Sequence, residues 1–112
     1  MDTLKHYQEI VCNVLCEYAN VYRSSRSEIH FLALLDLERH EYAVVRYGWD
    51  GKQRVHSMIA HLSIIDGKVW IQYDGTSPGI ALDLVAAGIP REDIVLGFLP
   101  ARVRQYSDYG VG

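Results

Sequence analysis

Residues 47–76, YGWDGKQRVHSMIAHLSIIDGKVWIQYDGT, carry three Asp-Gly pairs, at Asp50-Gly51, Asp66-Gly67 and Asp74-Gly75. Aspartate tolerates left-handed backbone and glycine enters it without steric cost, so Asp-Gly between apolar runs is a strong hairpin signal. The first two pairs have that setting, and the run predicts an antiparallel meander. Its long strand is Gln53 to Ile65, followed after Asp66-Gly67 by Lys68 to Tyr73. On the long strand Val55, Ser57, Ile59, His61, Ser63 and Ile65 would face one way and Arg54, His56, Met58, Ala60, Leu62 and Ile64 the other. Neither side is uniformly polar, which predicts a bulge or coverage on both sides.

Working outward, Tyr42 to Tyr47 is β-branched and aromatic and reads as the preceding strand. The polar Glu38 to Glu41 joins it to a first strand running from Ile29 to about Leu37. Further upstream, Leu4, Tyr7, Val11, Val14, Leu15 and Tyr18 recur at three- and four-residue spacing, the signature of an amphipathic helix that Asp2 or Thr3 can cap. Residues 20–27, with Arg23 and Arg26, read as a polar loop. Downstream, Ser77-Pro78 predicts an N-cap and first helical residue, Ile80, Ala81, Leu84 and Val85 a buried stripe, and Gly88 with Pro90 the stop. Asp93 to Phe98 reads as a short strand or extended segment and Pro100 to Tyr106 as one or two helical turns. The order is helix, four-stranded antiparallel meander, helix and short helical tail. It predicts a single α+β domain over residues 1–112 with helices packed on one sheet face.

Composition narrows the function classes. The net charge is −3 with pI near 5.9. Arg91, Arg102 and Arg104 gather toward the C-terminus, but no dense basic run offers the phosphate-neutralising face of a typical duplex binder. No apolar run reaches the roughly 20 residues of a membrane span, and the N-terminus lacks the pattern of a secretion signal, so cytoplasmic residence is expected. Cys12 and Cys16, four apart on the predicted helix, lack the partner motif of a zinc site and read as reduced, partly buried thiols.

The chemistry-bearing candidates reduce mostly to structure. Asp50-Gly51-Lys52 and Asp66-Gly67-Lys68 mimic the carboxylate and lysine of metal-dependent nucleases, but their central glycine fits a turn tip better. His56 and His61 are five apart, which places them on opposite strand faces unless a bulge intervenes. His6, His30 and His40 have no motif partner and read as surface residues. No glycine fingerprint or phosphate loop supports a nucleotide, and no nucleophile elbow is present. The expectation is therefore no catalytic set, no metal and no cofactor. Eight tyrosines and two tryptophans remain. Trp70 reads as core or sheet-face packing. Large amphipathic rings anchor protein interfaces, so Tyr47, Trp49, Tyr73, Tyr106 and Tyr109 are the candidate partner-binding residues. A meander also leaves outer strand edges unpaired, which makes homo-oligomerisation a further expectation.

The strings WDGKQRVH (49–56), IIDGKVWIQYDGT (64–76) and AGIPREDIVLGF (87–98) closely resemble the XisI family, the fdxN-element excision controlling factors of cyanobacteria, over nearly the whole chain. The resemblance implies a small α+β protein acting in programmed DNA excision during heterocyst differentiation. It further implies a companion, XisH, that looks like a restriction-endonuclease-fold protein, together with a site-specific recombinase. No catalytic set accompanies the family pattern. Its members often carry histidine where this chain has Leu99, and a basic residue near Tyr73, departures that argue against catalysis at those positions. The expected function is thus a non-catalytic regulator of DNA recombination that binds an XisH-like partner, with a direct DNA-binding accessory factor as the alternative and a turn-carboxylate nuclease third.

Overall fold

The computed structural model describes residues 2–21 and 28–112 of the chain. The predicted loop at residues 20–27, including Arg23 and Arg26, thus lies largely outside the described residues. Helix α1 spans Thr3–Val21 and buries Tyr7, Ile10, Val11, Leu15 and Ala19, the stripe that helical spacing brings to one side. Asp2 caps it, its carboxylate accepting the Lys5 N–H at 3.2 Å. Leu4, expected in the stripe, is in the first turn and 39% exposed.

Strands β1 (Ile29–Asp36), β2 (Glu41–Asp50), β3 (Gln53–Ile65) and β4 (Lys68–Asp74) form the predicted meander in spatial order. Their turns refine the glycine reading. Asp66 and Gly67 are the two central residues of the β3–β4 hairpin, with φ of 50° and 78°, the pattern of a type I′ turn. At β2–β3, however, Asp50 still pairs with Gln53, so the loop residues are Gly51 and Lys52, with Gly51 alone at positive φ. The third pair closes no hairpin. Asp74 ends β4, and its carboxylate accepts the Thr76 N–H at 2.9 Å and the Ile80 N–H at 2.9 Å.

That contact corrects the predicted start of the second helix. Helix α2 spans Ile80–Ala86, with Gly79 rather than Ser77 in the capping position and with Pro78 outside, after a cis Ser77-Pro78 bond. Asp74 supplies, as a carboxylate six residues upstream of Ile80, the side-chain acceptor that the Ser77 hydroxyl was expected to provide. The stop is as read: Ile89 N–H donates to Leu84 O at 3.1 Å and Gly88 N–H to Val85 O at 3.0 Å, a Schellman closure around Gly88 at φ 116°.

The sheet has five strands rather than four. A single 3₁₀ turn at Arg91–Asp93 leads into β5 (Ile94–Leu96), which pairs parallel to β4 because the chain has crossed over through α2. After α3 (Ala101–Arg104) the tail returns, and Gly110 forms a bridge to Val95. The core lies between the helices and one sheet face: Val11, Leu15, Ile80, Leu84 and Ile89 against Tyr42, Val44, Leu62, Val69, Ile71 and Ile94.

Tyr7, 5% exposed, ties α1 to the β5 entry by donating its hydroxyl to Asp93. Burial, then the bond to and charge of Asp93, then Glu92, push the Tyr7 phenol from its usual 10.0 to about 12. An unfolded tyrosine gives up its proton before the folded one. The resulting stability is complete below pH 10.0 and is lost as pH climbs toward about 12. Alkaline absorbance titration of wild type against Tyr7→Phe should show one late phenol missing from the variant; identical titrations would remove this assignment.

Candidate interaction face

The sheet face turned away from α1 and α2 is covered only in part. Over β4 and β5 the tail closes it. The Arg104 guanidinium lies over Trp70 at 5.1 Å, donates to Leu99 O at 2.9 Å and Val111 O at 3.1 Å, and Val95 is fully buried. Trp70 is therefore packed on the sheet face, as read. Over β1 to β3 no described element covers the same face, and strand alternation brings His30, Leu32, Leu34, Val45, Tyr47, Trp49, Arg54, His56 and Met58 onto it. Of these, Leu32 is 46%, Leu34 49%, Met58 41% and Trp49 51% exposed.

The aromatic end of this face is ordered by cross-strand neighbours. His30 stacks on Tyr47 with ring centroids 4.9 Å apart and 26° between planes, and Tyr47 pairs across to His56. Beside them the Arg54 guanidinium lies over Trp49 at 5.4 Å. His30, read as an unpartnered surface residue, thus has a ring partner, and His40 is half-buried in the β1–β2 loop. Gln8 Nε2 lies 3.1 Å from Leu37 O, 3.1 Å from His40 Nδ1 and 3.0 Å from the buried Tyr42 hydroxyl.

Along β3, Ile59 is the extra residue between the pairs Val44 with Ala60 and Val45 with Met58. This bulge changes the odd spacing of His56 and His61 into an even one, so both histidines belong to the open face and the opposite-face expectation is corrected. They still do not meet: His56 opposes Tyr47 and His61 opposes Ala43, four residues apart on β2. His61 Nε2 instead lies 2.8 Å from Glu41 Oε1, and the buried Ser63 also donates to Glu41. Sequence reading missed this trio because only the strand register reveals it. The carboxylate sits between imidazole and hydroxyl, so the imidazole-to-hydroxyl contact that activates a serine is missing from this arrangement.

The five aromatic candidates separate. Tyr47 and Trp49 share the ordered end; Tyr73, 49% exposed, opposes His61 and lies roughly 13 Å beyond Tyr47 and roughly 20 Å beyond Trp49 along the strands. Tyr106 is 82% exposed on the tail, whereas Tyr109 is half-buried and packs against the core. The Asp50–Lys52 and Asp66–Lys68 strings lie at hairpin ends, and among the described residues no group of three or more His, Cys, Asp or Glu is placed to hold a metal. Cys12 and Cys16 are free, and burial followed by the nearby Cys16 raises the Cys12 thiol, which disfavours the reactive thiolate. A separate cleft of about 450 Å³ between α1 and α2 is lined by Val14, Glu17, Tyr18 and Asp83 among others. No helix among the described residues is long and apolar enough to cross a membrane.

The XisI protein family profile matches residues 1–111. The chain is similar to the crystal structure of a XisI-like protein from Anabaena variabilis, with 41% identity and a TM-score of 0.90, over 97% of this chain and 99% of that one. It is also similar to the fdxN element excision controlling factor XisI from Anabaena variabilis, with 32% identity and a TM-score of 0.84, over 99% of this chain and 100% of that one. Both structures share its α+β fold. No curated protein matches it. With a family match across the described helices and the whole sheet, the chain belongs to the XisI family.

Proposed function

We propose that this protein is a non-catalytic regulatory factor of DNA excision that acts by binding an XisH-like, nuclease-fold protein through the open sheet face around Tyr47 and Trp49. Two things support the reading: the similarity to an fdxN element excision controlling factor, and an uncovered apolar face whose aromatic end is held in place by His30 and Arg54. The face carries the reading. A half-exposed tryptophan braced by a guanidinium, beside Leu32 and Met58, has the character of an interface anchor. The net charge of −3 suits a protein partner better than duplex DNA.

Co-expression with an XisH-like protein followed by affinity capture tests it. Trp49→Ala should weaken association by at least about tenfold, a typical effect for a central anchor. Association that survives Trp49→Ala, Tyr47→Ala and Tyr73→Ala together would eliminate this surface. Salt-sensitive, border-specific binding of element DNA by the isolated protein would favour the direct DNA-binding alternative instead.

A further inference from the structure

We propose that a second copy of this chain pairs with it edge to edge along β1, antiparallel about a two-fold axis at Ala33, joining the two sheets into one continuous sheet. The two edges of the sheet are treated differently. At β5 the edge strand is short, and the returning tail covers it, with Gly110 bridging to Val95 and its N–H donating to Ile94 O at 2.7 Å. At the other edge, β1 pairs with β2 through eight consecutive residues without a register shift. That edge strand, IHFLALLD, contains no lysine, proline or bulge, the devices that ordinarily discourage edge pairing.

Backbone direction fits pairing. Trp49 N–H donates to Glu28 O at 3.3 Å, which fixes the alternation so that Phe31, Ala33 and Leu35 turn their N–H and C=O groups away from β2. No backbone hydrogen bond among the described residues reaches that side of Ala33 or Leu35.

The side chains favour a second copy over an arbitrary strand. Centred on Ala33, antiparallel pairing sets Leu32 opposite Leu34 of the second copy and Phe31 opposite its Leu35. At each end His30 then faces Asp36 of the other copy, twice by symmetry. Apolar positions meet apolar ones and the only two polar residues of the strand meet each other. A slip of two residues keeps the faces but breaks both polar pairs, and a slip of one turns the helix layers to opposite sides. The pairing draws in Leu32 and Leu34 at the β1 margin of the open face but leaves Tyr47, Trp49 and Arg54 on β2 and β3 available, and its test is read on the isolated protein, so this inference stands or falls apart from the proposed excision partner.

Light scattering and sedimentation across a wide concentration range should give twice the 12.8 kDa chain mass. Leu32→Lys/Leu34→Lys should yield a monomer with an unchanged far-ultraviolet circular dichroism spectrum, since both side chains are already 46% and 49% exposed. Register is read by disulfide trapping. Leu32→Cys mixed with Leu34→Cys should cross-link under mild oxidation, because those residues would sit with Cα atoms about 4.5 Å apart, whereas His30→Cys alone should not. A monomeric wild type, a dimer that survives the double lysine variant, or trapping by His30→Cys in place of the leucine pair would each overturn the proposal.

Discussion

Gly48→Ala will destabilise the fold by about 4 kcal/mol, combining backbone strain with a steric clash. Gly48 lies on β2 between Ile29 and Val55 with φ 145°, and a Cβ there would stand 1.9 Å from the Glu28 carbonyl oxygen. That carbonyl cannot simply withdraw, because it also accepts the Trp49 N–H at 3.3 Å. Relief requires the start of β1 to lift from β2, which would pull His30 off Tyr47 and loosen the ordered end of the open face. Gly67→Ala supplies the comparison: its φ is 78°, yet nothing lies within 4 Å of a Cβ, so it should cost only about 1 kcal/mol. Thermal melts should then differ by roughly 12–24 °C between the two variants. Equal losses would mean that the close approach to Glu28 contributes nothing.

That glycine illustrates what was and was not legible. Turn chemistry identified the meander because Asp66-Gly67 and Gly51 adopt positive φ through purely local preferences. Helix α1 was equally legible, since its buried stripe repeats within the helix itself. Features that depend on distant partners were not. Nothing local marks Gly48 as the residue that Glu28 approaches, or Asp74 as the acceptor for Ile80 in place of Ser77. The fifth strand was ambiguous because its three residues acquire strand character only by lying beside β4 after the crossover.

The candidate face divides along the same line. Tyr47 and Trp49 share a side only because β2 runs on to Asp50, three residues past the predicted strand end at Tyr47, so their association needed that extension. The residues that brace them, His30 and Arg54, arrive from neighbouring strands and depend on register. The bulge at Ile59 decides whether His56 and His61 share a side, and a single residue inserted into a long apolar strand leaves no unambiguous mark in periodicity. Glu41 was read only as part of a polar connection, although its carboxylate organises His61 and Ser63.

Gly110→Ala should have the second-largest effect, about 2–3 kcal/mol, and should act first on the tail. A Cβ at Gly110 would lie 2.4 Å from the Glu92 carbonyl oxygen and 3.2 Å from that of Ile94. The backbone must move apart there, and the Gly110 N–H then loses its bond to Ile94 O at 2.7 Å. Neighbouring contacts share the same fate: Tyr109 packs on the core one residue earlier, and Val111 O accepts from Arg104 one residue later. Once these let go, Arg104 no longer has both ends of its clamp, and Trp70 and Val95 lose their cover. Far-ultraviolet circular dichroism should change little, because the four meander strands and α1 do not depend on the tail. In a Trp49→Phe background, Trp70 emission should move to longer wavelength and proteolysis after Arg104 should accelerate. Unaltered emission and cleavage would show that the tail tolerates the added methyl group, and the β5 edge would then be held by something other than the Gly110 bridge.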